Sequence, residues 1–168
     1  MEAIVATDLL GGIGKNNSIP WYSKTDIRFF LNKTINNVVI MGKNTFLSLP
    51  NKKPLKNRLN IVLTHNPELY TNEFNLLFTN NFNVFLNDRT FFLNNYPYLN
   101  NDFKFFIIGG KQIYDKYISI CDVYWVTTIK KIYHCDIFFN FDLLNKEYIF
   151  DNIFYQDGEI QIKKYIKK

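Results

Sequence analysis

Five short apolar runs, at residues 3–6, 38–41, 59–64, 103–108 and 122–129, constrain this chain more than any other feature. Each has the length of a strand, and the runs read as buried strands rather than half-wetted ones. Helical spacing fills the gaps between them. Residues 24–35 place apolar side chains three, four and eight apart, 43–49 form a short helix stopped by Pro50, and 111–117 form another. Residues 66–102 read less sharply, with a strand at 82–86 and a short helix at 88–95. The end of the chain, 148–156 and 159–166 around Asp157-Gly158, reads as a hairpin with a two-residue turn. Together these predict an α/β fold with a mixed, mainly parallel central sheet flanked by helices, closed by a C-terminal antiparallel hairpin.

With 168 residues the chain reads as one domain, 1–168, large enough for a real core. It carries 23 Asn against 7 Gly and 5 Pro, a bias that reads as extra Asn in loops without chemical purpose. The net charge of +5 gathers mainly in the last six residues, where alternation predicts a strand with a solvated basic face. No nucleic-acid partner is expected. Cys121 and Cys135 form no CxxC pair and read as reduced thiols. No leader and no membrane-length apolar run is visible, so the expected setting is cytoplasmic, with no membrane partner.

Ligands on such a sheet bind beyond the carboxyl ends of the strands. Four clusters follow strands in that way: Gly42-Lys43, Thr64-His65, Gly109-Gly110 and the loop 9–23, which holds Gly11, Gly12, Gly14 and Pro20 and reads as long and flexible. Met41-Gly42-Lys43-Asn44-Thr45 closes a strand and opens a helix, where a glycine and a lysine suit phosphate. It is no nucleoside-triphosphatase loop, because Asn37 stands where an earlier glycine is needed and Asn44 follows the lysine. Gly109-Gly110 admits either a pyrophosphate beside the backbone or a plain tight turn. His134, Cys135 and Asp136 are consecutive and converge poorly on one ion, so no metal is expected.

Asp26 is the odd residue, an acid one turn into a helix carrying Ile27, Phe29, Phe30 and Leu31. Ser23-Lys24-Thr25-Asp26 fits a capping box, which would explain it locally. If Asp26 instead faces inward, it needs a cationic or hydrogen-bonding partner, because an unpaired buried carboxylate is costly. No Lys or Arg shares its face, so that partner could be a ligand.

In order, Ala6, Gly14, Ile19-Pro20-Trp21, Asp26, Phe30, residues 39–46, Asn57-Arg58, residues 60–64 and 106–114, and Val126-Thr127 resemble the dihydrofolate reductase family over about 1–65 and 103–140. The resemblance implies NADPH-dependent reduction of dihydrofolate. It makes Asp26 the pterin-pocket acid, promoting protonation at N5 before hydride reaches C6, with Trp21 and Thr127 orienting it and Tyr114 beside the nicotinamide ring. Val5, Ile27, Phe30, Leu49 and Ile108 become walls of the substrate site, and Arg58 the grip on the glutamate α-carboxylate. On the cofactor side, Ala6, Ile13, Gly14 and Ile19 line the nicotinamide, and Gly42, Lys43, Asn44 and Thr45 form one phosphate site. Gly109, Gly110, Lys111, Gln112 and Ile113 form the other, Lys43 with Thr64 and His65 surrounds the adenosine 2′-phosphate, and Leu63 also joins the cofactor site.

The resemblance also implies a cis peptide at Gly109-Gly110, a mobile lid at 9–23, and functional coupling to a separate thymidylate synthase. The chain departs from the pattern at Lys111 and Gln112, where some members carry glycine and arginine, and Gly11-Gly12 should loosen the lid. A pyrimidine reductase of riboflavin synthesis and a non-catalytic protein retaining the fold are the rival functions. The set Trp21, Asp26 and Arg58 favours dihydrofolate.

Overall fold

The computed structural model describes residues 1–86 and 88–168. In chain order it runs β1 (Glu2–Thr7), β2 (Gly12–Gly14), α1 (Lys24–Thr34), β3 (Val38–Gly42), α2 (Lys43–Ser48), β4 (Leu59–Leu63), β5 (Leu76–Thr79), α3 (Arg89–Asn95) and β6 (Phe105–Ile107). Then follow α4 (Lys111–Tyr117), β7 (Val123–Ile129), β8 (Ile137–Phe138), α5 (Phe141–Glu147), β9 (Tyr148–Gln156) and β10 (Ile160–Lys167). Eight strands form one sheet in the order β5-β4-β3-β6-β1-β7-β10-β9. The first six are parallel to their neighbours, while β10 runs antiparallel to β7 and β9. The mixed, mainly parallel sheet with a terminal hairpin is therefore present.

The sheet is covered on both faces, which is why its strands read as continuous apolar runs. Ile4, Phe29, Val39, Met41, Phe46, Val62, Phe106 and Trp125 pack together on the face that carries α1. Val5, Ile40, Ile61, Phe92, Ile107, Tyr114, Tyr124 and Leu144 fill the other face, under α3, α4 and α5. The strands that feed the proposed site, β4, β3, β6 and β1, are neighbours at the centre. Their carboxyl ends consequently lie side by side, bringing together clusters far apart in the chain.

Three local expectations fail. Residues 82–85 form a 3-10 turn instead of a strand: Asn81 caps it by accepting from the Asn83 N–H, and the turn drives Phe82 wholly into the core beside Phe105 and Tyr117. The edge strand of that region is β5, and it was not expected. The turn at Asp157-Gly158 spans three residues, with Gly158 outside the left-handed region that the favoured two-residue turn needs. Asp157 closes it instead, its carboxylate accepting from the N–H of both Glu159 and Ile160 at 2.8 Å. Finally, 9–23 is not a loose loop. It contains β2, paired with β8, and a tight hairpin in which Lys15 and Ser18 exchange backbone bonds around Asn16 and Asn17, both at positive φ.

Candidate functional site

Asp26 stands in the first turn of α1, where Ser23 caps the helix by accepting the Asp26 N–H at 3.3 Å. This is only half of a capping box, because among the described residues the Asp26 carboxylate returns no bond to Ser23. The side chain is instead aimed at β7. Thr127 is wholly buried there, and its hydroxyl, which draws the Asp26 carboxyl downward, completes no hydrogen bond among the described residues. The two groups therefore face each other too loosely to satisfy one another. Burial dominates and pushes the Asp26 carboxyl above the ordinary carboxylate range.

Several apolar side chains lie on the same face of the sheet as this pair. Trp21, Phe30, Leu49 and Ile108 border the α1-side core, half-buried. Trp21 also packs on Tyr133 with ring centroids 5.5 Å apart. Ile4 lies on this face, and its carbonyl accepts the Tyr114 hydroxyl at 2.7 Å. Val5, its neighbour, points to the opposite face and packs in the core with Tyr114. Ile27 sits one stripe away on α1, lining an open cleft of about 300 Å³ with Leu31 and Ile35. Sequence reasoning named Val5 and passed over Ile4, although strand alternation could have assigned the faces once one neighbour was placed.

Arg58 is buried, 6 % exposed, with no acid paired to it among the described residues. Burial lowers its pKa. Its Nε donates to the Lys56 carbonyl at 2.9 Å and its Nη1 to the Thr34 hydroxyl at 3.0 Å, while its guanidinium lies 5.8 Å from the Phe30 ring centre. Asn60, completely buried, clips the approach to Arg58: its amide donates to the carbonyls of Leu55, Arg58 and Asn75, and its oxygen accepts the Leu55 N–H. These supports leave a cation that lacks a counter-charge facing the Phe30 side, a fit for a carboxylate.

A second corner forms where β3 and β6 end. The Gly42 N–H donates to the Gly109 carbonyl at 2.8 Å, and the Gly109-Gly110 peptide is cis, as the resemblance implied. A Cβ on Gly110 would stand 3.2 Å from the Thr45 hydroxyl, and one on Gly42 only 3.0 Å from Ile113. Gly109 has φ +124°, which side chains disfavour. Bare backbone thus flanks Thr45, leaving room for a large group to approach. Gly42 pairs in register with Leu63, so Lys43 and Thr64 follow at adjacent strand ends, with His65 exposed beyond them. Lys111 and Gln112 are exposed on α4, Lys111 bound to Asp115 at 2.5 Å, and Asn44 is exposed on α2. Free amides, hydroxyls and lysine in one corner fit the phosphates of a dinucleotide.

Ala6, the penultimate residue of β1, stands half-buried between these two corners, in register with Thr127. The lid brings Ile13 and the buried Gly14 toward it, while Ile19 remains 62 % exposed. Gly11 and Gly12 stand at the root of this segment. Both are buried, the Gly11 carbonyl accepts the Phe139 N–H at 2.9 Å, and the Gly12 N–H donates to Asp8 at 2.8 Å. Glycine serves packing there, since a Cβ on Gly12 would fall 2.4 Å from that of Cys135.

Among the described residues no helix is long and apolar enough to cross a membrane. The dihydrofolate reductase family model matches residues 1–164. A curated dihydrofolate reductase of Ureaplasma parvum serovar 3 is 36 % identical, covering 90 % of this chain and 92 % of its own. That of Pneumocystis carinii is 33 % identical, covering 88 % and 77 %. Among solved structures, a dihydrofolate reductase from Enterococcus faecalis complexed with NADP(H) and RAB-propyl superposes with TM-score 0.76 at 27 % identity, covering 99 % of this chain and 95 % of that one. Motif order, sheet topology and these matches agree across nearly the whole length, and the chain belongs to the dihydrofolate reductase family.

Proposed function

We propose that this chain reduces 7,8-dihydrofolate to 5,6,7,8-tetrahydrofolate and that Asp26 governs the proton in that reaction. NADPH, when bound, supplies the hydride to pterin C6. The observation that supports Asp26 in this role is its setting: a carboxyl raised by burial, facing an unsatisfied Thr127 hydroxyl. An acid shifted upward holds a proton closer to working pH, which is what general-acid help at N5 requires. Asp26 also binds the 2-amino and N3 edge of the pterin, Trp21 and Thr127 orient it, and Phe30, Leu49 and Ile108 exclude water. Arg58 takes the glutamate α-carboxylate through its planar fork.

On the other side, Ala6 and Ile13 hold the carboxamide through backbone groups and Tyr114 lies beside the ring. Gly42, Lys43 and Thr45 take one phosphate and the segment from Gly109 to Ile113 the other. Lys43, Thr64 and His65 select the 2′-phosphate. The activity belongs to the cytoplasm and couples functionally to a separate thymidylate synthase. Purified protein is expected to consume NADPH with dihydrofolate, read by loss of nicotinamide absorbance, and not with the ribosylamino-pyrimidine of riboflavin synthesis. The reverse pattern, or no consumption with either, overturns the reading.

A further inference from the structure

Asp8 follows β1 and is 1 % exposed. A buried carboxylate must be compensated, and none of the ion pairs among the described residues includes it. Its compensation is backbone. Oδ1 accepts the N–H of Leu10 at 2.9 Å and of Gly12 at 2.8 Å, while Oδ2 accepts the N–H of Tyr133 at 3.0 Å, with Cys135 Sγ at 3.8 Å. Two of these donors belong to the lid and two to the segment 131–136. Burial pushes the carboxyl up, but the bonds from Tyr133, Gly12 and Leu10 outweigh it and hold it below the ordinary carboxylate value.

The main chain doubles the tie. The Asp8 N–H donates to the Gly12 carbonyl at 2.9 Å, and the Leu9 N–H to that of Lys131 at 3.2 Å. Beyond this root the two segments stay joined: β2 pairs with β8, the Asn16 N–H donates to Asp136 at 2.8 Å, and Trp21 packs on Tyr133. Asp8 is thus the first tie in a seam that holds Ile13 against the α4-side core, the buried Gly14, and Trp21 against the α1-side core.

We infer that Asp8 is a positioning residue for the reductase: its carboxylate staples the root of the lid to the segment 131–136 and so sets where Ile13, Gly14 and Trp21 stand over the pocket. The inference rests on the reductase reading for its functional half. An amide cannot replace the carboxylate, because it offers one accepting atom and would turn an N–H toward an N–H.

Asp8→Asn and Cys135→Ala test this. Amide exchange is followed on the free protein and steady-state kinetics on the complete reaction. In Asp8→Asn the Gly12 and Tyr133 amides should exchange at least about tenfold faster, beyond any change at β3 and β4 amides, as loss of charge-assisted bonds predicts. With the segment displaced over the site, kcat should fall several-fold, roughly threefold or more, with the dihydrofolate KM within about twofold. Cys135→Ala keeps the three N–H bonds and should match the wild type in both readouts. Exchange at Gly12 and Tyr133 that changes no more than at β3 and β4 overturns the staple, as does a Cys135→Ala protein behaving like Asp8→Asn. Local opening with unchanged kcat overturns the positioning role. If the wild type itself fails to turn over dihydrofolate, the reductase reading fails, and the exchange arm alone still decides whether the staple exists.

Discussion

Two aspartates, Asp8 buried at the root of the lid and Asp26 half-buried in the first turn of α1, are pushed in opposite directions. Asp8 meets three backbone N–H groups and a thiol, and its carboxyl is lowered. Asp26 meets one poorly placed hydroxyl, and its carboxyl is raised. Burial acts on both in the same sense, so the difference lies in the donors. A saturated acid is architecture, and an unsaturated one is held ready for chemistry. Arg58 stands between them, supported on two nitrogens by Lys56 and Thr34 but without a counter-charge.

The largest effect should come from removing the unsaturated acid. Asp26→Asn is expected to lower turnover at neutral pH by roughly 10²–10⁴-fold, the usual scale for general acid–base help, while the fold persists. Near-wild-type turnover would place Asp26 alongside Asp8 as architecture and collapse the contrast.

Next comes the half-satisfied cation. Arg58→Lys keeps the charge but loses the fork, and the KM for dihydrofolate should rise roughly ten- to a hundredfold, with a smaller change in kcat. A KM within twofold of wild type means Arg58 is fully engaged by Thr34 and Lys56. On the exposed cofactor corner, Lys43→Ala should cut the preference for NADPH over NADH about tenfold, measured as the ratio of kcat/KM for the two. A wild type indifferent to the two cofactors would remove that assignment.

The smallest effect carries the sharpest sign. Asp26 has a raised folded pKa, so its favourable contribution is present below the unfolded value, about 3.9, and is lost as pH rises through the folded pKa. Asp26→Asn should therefore melt above wild type at pH 7, with the gap closing in acid. Asp8 has a lowered folded pKa, so its contribution is present above the unfolded value and is lost as pH falls through the folded one. Asp8→Asn should melt below wild type at pH 7, and that gap also closes in acid. Each is expected at a few degrees, roughly 2–4 °C per 1 kcal/mol in a domain of this size. Thermal melts of the three proteins from pH 7 to pH 3 decide it, and shifts of the same sign would break the comparison.

Much of the fold was legible because hydrophobic period is local. The bounds of α4 and β9 coincide with those read from spacing, and α1 differs only at Ile35, its C-terminal cap. Residues 66–102 misled because the apolar residues of 82–86 imitate a strand, while the deciding contact, Asn81 capping its own turn, is a side-chain bond that periodicity does not register. Helix α5 was missed although Asn140 caps it by accepting the Leu143 N–H at 2.9 Å, a signal visible in the sequence as Asn before Phe-Asp-Leu-Leu. The abundant Asn was misjudged too. Asn16, Asn17, Asn36, Asn51 and Asn57 all have positive φ, so in a glycine-poor chain Asn takes backbone positions that Gly would usually fill.

The sequence by itself determined the alternation of strands and helices, the order of the site motifs, and the presence of an acid in a greasy helix. Only tertiary structure decided which acid is satisfied. The donors to Asp8 include Tyr133 and Cys135, the group facing Asp26 is Thr127, and the glycine corner joins Gly42 to Gly109. A helical or strand period is carried by neighbours a few residues apart, so it can be read along the chain. Hydrogen-bond satisfaction of a buried charge depends on groups delivered by distant segments, and it exists only once the sheet has set those segments side by side.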